Sequence, residues 1–451
     1  MKNILPLFVI AFLMIGCASY NFKNVEIGLE SGNPENAYNY LKKNSPQKPD
    51  IPFQYELGLV AHYADLFSES SKAFEESEMI AEDRFTKSLS KEAFSLITTD
   101  NVRPYPGTQY ERLLSHYYSA LNYIYADNLD GALVECRRAT NLIQYFKGED
   151  EEDYNYFGAG FLAHFCGMVF EASGGWNNAL ISFKQAEEYY KGSAEMTGVP
   201  IPKDVGNSLV RLSRRLNFTD DYERYLNQYG EPPSLTENHG ELILFYETGY
   251  VPQKVEESLT FPILKVDKFG EEDNDDSIKF ARTLHTREGM VVEEVELEYL
   301  LRVAIPIIYS NRPVYNGIRV SAGGETASGV LVEDVETLAI ETLNSQRGII
   351  IIRTLVRALG KYLLTKKAKE QNKILGVVVN LAGAIVESAD TRSWQTLPNQ
   401  IYMVRMSLPE GNHKISLSFL DVDGLVRDRM SIKDVKITSD QITFFNFRTY
   451  D

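Results

Sequence analysis

The chain has 451 residues, 44% apolar and 24% charged, which is ordinary globular composition and enough for two or more cores. Its 46 Lys and Arg face 63 Asp and Glu, a formal charge of −17. That balance argues against nucleic acid and against adhesion to anionic lipid, both of which need basic surface.

One positive charge, Lys2, precedes an apolar run over 4–15, the length of a signal-peptide core and several residues short of a membrane span. The run ends in Leu13-Met14-Ile15-Gly16-Cys17, which resembles a bacterial lipobox with Met14 where Leu is usual. The resemblance implies a signal peptide over 1–16, lipidation of Cys17 and a lipidated tether over 17–24. Two or three acyl chains anchor a protein stably, where one holds it only marginally. Ala18 after the cysteine favours the periplasmic face of the outer membrane in a two-membraned host. With a first helix expected near Val25, the tether reaches roughly 30 Å at most, which holds the helices beside the bilayer. Cys136 and Cys166 remain, both on apolar helical faces, as buried free thiols or as a bridge.

From 25 to 230 apolar residues recur at three and four, the helical period. Three helix pairs share a pattern of small, large and small residues. Leu57-Gly58 leads to Ser70, Phe74 and Ser77; Ala120 and Tyr123 lead to Ala132, Cys136 and Ala139; Cys166-Gly167 and Phe170 lead to Ala179, Phe183 and Ala186. Small residues let helices cross closely, and the bulky one between them fills the gap to the next pair. The pattern resembles the tetratricopeptide repeat (TPR). The repeats are longer than the family's, so either helices are inserted, at about 85–97, or loops are lengthened. Ala37, Leu41 and Asn44 suggest a weaker first copy, and 207–229 a closing pair. Stacked helix pairs leave a concave surface that commonly binds peptides. Tyr110, Tyr117 and Tyr123 are candidates for that surface, or else inter-repeat packing.

Tyr229-Gly230-Glu231-Pro232-Pro233-Ser234 ends the helical pattern, and 231–240 reads as a linker to an α+β domain over 241–451. Period-two strands are expected at 241–247, 295–305, 317–321, 401–408, 414–420, 435–438 and 442–448, and the late meander over 401–449 resembles an antiparallel β-sandwich. The acidic stretch 270–276 lacks the spacing of a calcium loop and reads as a solvated turn. A helical insert is expected over 334–388. Its residues Ile349, Ile352, Val356, Leu359 and Leu363 form one apolar face, with Arg353, Arg357 and Lys361 at intervals of four. The run 374–386, apolar nearly all round, reads as a core helix, or as a hairpin dipping into a membrane or partner.

Asp390-Thr391-Arg392-Ser393-Trp394 with Leu397-Pro398, together with Gly249-Tyr250-Val251-Pro252-Gln253-Lys254, resembles a family of proteobacterial TPR-containing lipoproteins with no assigned activity. No catalytic role carries over. Asp390 and Arg392 can pair across a turn above Trp394 as a structural corner, or form a recognition patch with Trp394. The six histidines are scattered singly, no nucleophile elbow or phosphate loop occurs, and no metal or cofactor is expected. The expected function is a non-enzymatic, lipid-anchored periplasmic adaptor with protein partners, in cell-envelope or peptidoglycan-synthesis assembly. The alternatives are an assembly factor for a secretion or surface machine and a cell-wall-modifying hydrolase.

Overall fold

The computed structural model describes residues 20–88, 104–148, 156–234, 236–266, 279–286, 289–371 and 388–450. Cys17 with the signal segment, the 89–97 part of the candidate 85–97 helix, the acidic stretch 270–276 and the apolar run 374–386 lie outside the described residues.

Among these residues the first half is a series of helix pairs: α1 (Phe22–Glu30) with α2 (Pro34–Lys43), α3 (Ile51–Tyr63) with α4 (Phe67–Ser88), α5 (Gln109–Tyr125) with α6 (Leu129–Lys147), α7 (Ala159–Ala172) with α8 (Trp176–Thr197), and α9 (Lys203–Arg215) with α10 (Thr219–Tyr229). Asn21, Asn33 and Asp50 open the first three, each side-chain oxygen accepting a backbone N–H of the first turn. Pro34 and Pro52 stand in the first turn, where a backbone N–H has no helical partner. The small-large-small sets are all buried where the pairs cross. A methyl group on Gly58 would fall 2.6 Å from the Phe74 ring, so this crossing requires glycine.

The second half contributes three sheets. One has the order β11-β1-β8-β7, from β1 (His239–Thr248), β7 (Val330–Asp334), β8 (Gln400–Pro409) and β11 (Ile442–Thr449). A second runs β10-β9-β5-β6, from β5 (Gly317–Ala322), β6 (Glu325–Ser328), β9 (Gly411–Leu420) and β10 (Val426–Ile437). The two face each other as a sandwich. Leu242, Leu244 and Tyr246 of β1 and Val404 and Met406 of β8 pack on Val320, Leu417 and Phe419. The expected wholly antiparallel arrangement fails at one ladder, because β1 pairs with β11 in parallel. β10 belongs to the opposing sheet, and the chain crosses after it to the outer side of β1, running in the same direction.

The opposite face of the first sheet lies on the helices. Ile243 and Phe245 of β1, Ile401 and Met403 of β8 and Phe444 of β11 share one apolar core with Tyr117, Phe161 and Phe165. A strand covered on both faces has no polar side to present, and for that reason residues 242–246 are apolar without alternation.

The third sheet, β2-β4-β3, consists of β2 (Lys254–Val266), β3 (Lys279–Thr286) and the 20-residue β4 (Gly289–Ile308). Pro262 is tolerated in β2 because that strand is an edge. Against β4 lies α11 (Val335–Gln371), a single helix of 37 residues within the expected insert. Its inward side packs Ile351, Leu355 and Ala358 on Leu301, Val303 and Ile305. The apolar face predicted over 349–363 points the other way, into solvent.

Candidate functional site

Residues 249–254 and 390–398 come together against the helical array. Trp394 is fully buried, stacked on Tyr55 of α3 with ring centroids 4.5 Å apart. Glu111 of α5 accepts the Trp394 backbone N–H at 2.8 Å, the Thr108 N–H at 2.7 Å and the Tyr105 hydroxyl at 2.5 Å. Glu56 of α3 accepts the N–H groups of Gln395 and Thr396 at 2.6 and 3.2 Å. Two buried carboxylates thus grip one turn of the chain by its backbone. Burial raises the Glu56 pKa to about 7, against the hydrogen bonds that favour the charged form.

Above Trp394, Asp390 pairs with Arg392 at 2.8 Å, the Arg392 guanidinium lies 5.4 Å from the Tyr105 ring, and Lys254 donates to the Arg392 carbonyl at 3.3 Å. Thr391 is half-buried beside them and Pro252 is buried. Gly249 has φ +54, a conformation that favours glycine, and its carbonyl accepts from Arg448 at 2.7 Å. Arg448 also donates to the carbonyls of Thr396 and Leu397. Trp394 is thus interior, while Asp390 and Arg392 above it keep about a quarter of their side chains exposed.

Farther along the same contact, Arg405 of β8 is buried between Glu241 at 2.7 Å, Glu171 at 3.0 Å and Asp204 at 3.5 Å, while His164 meets Asp204 at 3.0 Å. Arg405 couples the sheet to α7 and α9. The surrounding cations hold the Asp204 carboxyl well below the usual carboxylate range, Arg405 first among them, even though burial acts in the other direction.

Tyr110 and Tyr117 are not presented to a partner. Tyr117 is enclosed by Phe161, Phe165 and Phe245 and donates to Glu247 at 3.1 Å, and Tyr110 is equally buried. Tyr117 packs on β1 of the chain's own sheet. Tyr123 differs, being half-buried in the lining of an open groove.

That groove, about 610 Å³, lies where α4 and α6 diverge on either side of α5. Arg112, Ser115, His116, Ser119 and Tyr123 form its floor, one face of α5 at helical spacing. Glu75, Glu78 and Glu82 of α4 line one wall, and Glu135, Arg138 and Tyr145 of α6 the other. Arg112 makes a two-pronged pair with Glu78, and Glu135 holds His116 at 2.7 Å and Arg138 at 2.9 Å. Those contacts use the bases. Glu75 and Glu82 stay exposed along the rim, so the groove carries surplus negative charge beside apolar Phe74, Met79 and Leu142. Glu75, Glu78 and Glu82 recur at three and four, a signal present in the sequence but indistinguishable there from an ordinary solvated helix face.

Among the described residues no three His, Cys, Asp or Glu side chains gather as a metal site, and no helix is long and apolar enough to cross a membrane. Cys136 and Cys166 are buried and unbridged.

No family model matches this chain, and no curated protein matches it. Solved structures with similar parts include the apo form of RapI, with 10% identity over 45% of this chain and 50% of that one, at a TM-score of 0.32. This chain therefore spans about half the length of RapI. Others are a Podosopora anserina putative kinesin light chain with TPR-like repeats (13% identity, 46% and 90% covered, TM-score 0.30) and MamA from Desulfovibrio magneticus RS-1 (11%, 48% and 94%, TM-score 0.29). The fold is a TPR-like array of helix pairs joined to an α+β half.

Proposed function

We propose that the chain is a non-enzymatic, lipid-anchored scaffold at the periplasmic face of the outer membrane, which docks a protein partner through the acidic groove between α4 and α6. The observation that carries the reading is the unbalanced charge of that groove, with Glu75 and Glu82 on the rim and the basic side chains already paired. Its occupant is a segment bearing Lys or Arg beside an apolar residue. The cation meets the rim carboxylates, and the apolar group packs on Met79, Leu142 and Tyr145. Anchoring through Cys17 rests on the lipobox resemblance, and a role in cell-envelope or peptidoglycan-synthesis assembly is the setting that suits it. An assembly factor for a surface machine would differ only in the partner.

The test places a photo-crosslinking residue at Met79 of the full chain in cells, with and without Glu75→Lys and Glu82→Lys together. The expected result is an adduct with a protein presenting a basic segment, reduced roughly tenfold or more by the double reversal, since each exposed pair contributes about 0.5 kcal/mol and reversal turns attraction into repulsion. A basic reporter peptide should lose affinity with added salt in parallel. An adduct indifferent to the reversal, or turnover of muropeptides by the purified chain, would defeat the proposal. Palmitate labelling that survives Cys17→Ala would remove the anchor.

A further inference from the structure

Ile349, Ile352, Val356, Leu359 and Leu363 of α11 are 46% to 63% exposed, although each is a large aliphatic side chain. Their spacing is three, four, three, four, the repeat that keeps one seam of a helix facing a second helix along its length. The seam is separate from the side of α11 that packs on β4, which uses Ile351, Leu355 and Ala358. Val255, Leu259 and Phe261 of edge strand β2 are also 37% to 45% exposed. Leu259 and Phe261 pair with Val303 and Leu301 of β4, so they occupy the sheet face that carries the helix.

Two glycines flank the seam within the helix, Gly348 and Gly360. Each costs about 1 kcal/mol relative to alanine in a helix interior. Nothing lies within 4 Å of where a Cβ would stand on either, so no described neighbour requires them to be glycine. An approaching helix would. The eight exposed side chains together offer roughly 700 Å² of apolar surface, close to the roughly 800 Å² per partner of a standard interface.

We propose that this face is the contact between two copies of the chain, with the α11 seams pairing about a two-fold axis and the β2 ledge of each copy closing on the flank of the other. A two-fold contact is self-complementary, and a seam of β-branched and Leu side chains repeating every 3.5 residues meets that requirement with a copy of itself. The proposal does not depend on the groove between α4 and α6, which lies on other helices.

The experiment measures the mass of the full chain by sedimentation across concentration, beside Ile352→Glu with Leu359→Glu, Gly360→Leu, and Ile352→Cys under mild oxidation. The expected result is twice the chain mass at micromolar concentration, falling to once the chain mass in the double Glu variant and in Gly360→Leu, with an interchain disulfide formed by the Ile352→Cys variant. Because these side chains are exposed in the single copy, the variants should keep the parent's circular dichroism, so loss of pairing is separable from loss of folding. A single-copy mass at every concentration would overturn the proposal, as would pairing that survives the double Glu variant. Two further results would overturn it in favour of another occupant. One is a disulfide within one chain between Ile352→Cys and Val378→Cys, and the other is cosedimentation of single copies with phosphatidylethanolamine–phosphatidylglycerol vesicles that the double Glu variant abolishes.

Discussion

His62 shows how one buried side chain can tie four segments together. Its Nδ1 lies 2.6 Å from the Asn122 Oδ1 and its Nε2 3.0 Å from the Asn446 amide nitrogen, so the neutral ring donates to α5 and accepts from β11. Asn122 passes the chain on to Ser70 of α4. Protonation would set a second N–H against the Asn446 amide, and burial lowers the ring's pKa to about 4. A depressed pKa contributes stability above the unfolded value near 6.5 that is lost as pH falls towards 4. Glu56 works in the opposite sense. Raised by burial to about 7, it contributes stability below pH 4.5 that is lost as pH rises to 7, and Glu333, raised to about 8, extends that loss. Thermal stability should therefore be greatest at mildly acidic pH and fall toward pH 8. Glu56→Gln should flatten the alkaline side, where the carboxylate's penalty is on the order of 3 kcal/mol. A melting temperature independent of pH between 5 and 8 would contradict this. Trp394→Ala should cost roughly 3–5 kcal/mol, the usual loss for a buried large aromatic, measured by chemical denaturation. In Trp394 the sequence supplied the right residue but not its setting. A lone Trp after Asp-Thr-Arg suits a surface patch as well as a corner, and the partners that settle it, Tyr55 and Glu111, are more than 280 positions away.

Elements were legible where a periodic face is long and has one neighbour. The crossing pairs α3 with α4 and α7 with α8 follow from small residues at fixed spacing, because two adjacent helices in one hairpin see each other first. β2 and β3 were not legible as strands, since an edge strand with Pro262 and mixed polarity lacks clean alternation. For α11 the periodicity gave the apolar face but not what covers it, and in the folded chain that face is open. Hydrophobic pattern reports that a face avoids water, and says nothing of whether the covering surface belongs to the same chain. Arg405 joins elements across the two halves. Arg405→Ala would leave the mostly buried Glu241, Glu171 and Asp204 with only Arg211 and His164 as partners, with an expected loss of about 3–5 kcal/mol, while Arg405→Met with Glu241→Leu should recover much of it. Equal stability of Arg405→Ala and the parent would show that the cluster is solvated.

At the scale of the molecule, one face of the helical array is packed on the first sheet. Tyr117, Phe161 and Phe165 meet Phe245 there, and the turn at 394–396 fills the rest. A fragment ending at 230 should expose this surface and aggregate or bind the separate 231–451 fragment, and mixing the two should restore the fluorescence of buried Trp394. A monomeric, stably folded 20–230 fragment would count against a shared core. Composition, helical period, the crossings of neighbouring helices and the run of β1 were determined by sequence alone, because each depends on residues a few positions apart and on their common need to leave water. Which face of the array is filled, which tyrosines are interior and where the open acidic groove lies were decided only by tertiary structure. Burial by a partner hundreds of residues distant leaves the same apolar signature as burial by a neighbour, and only the folded chain distinguishes them.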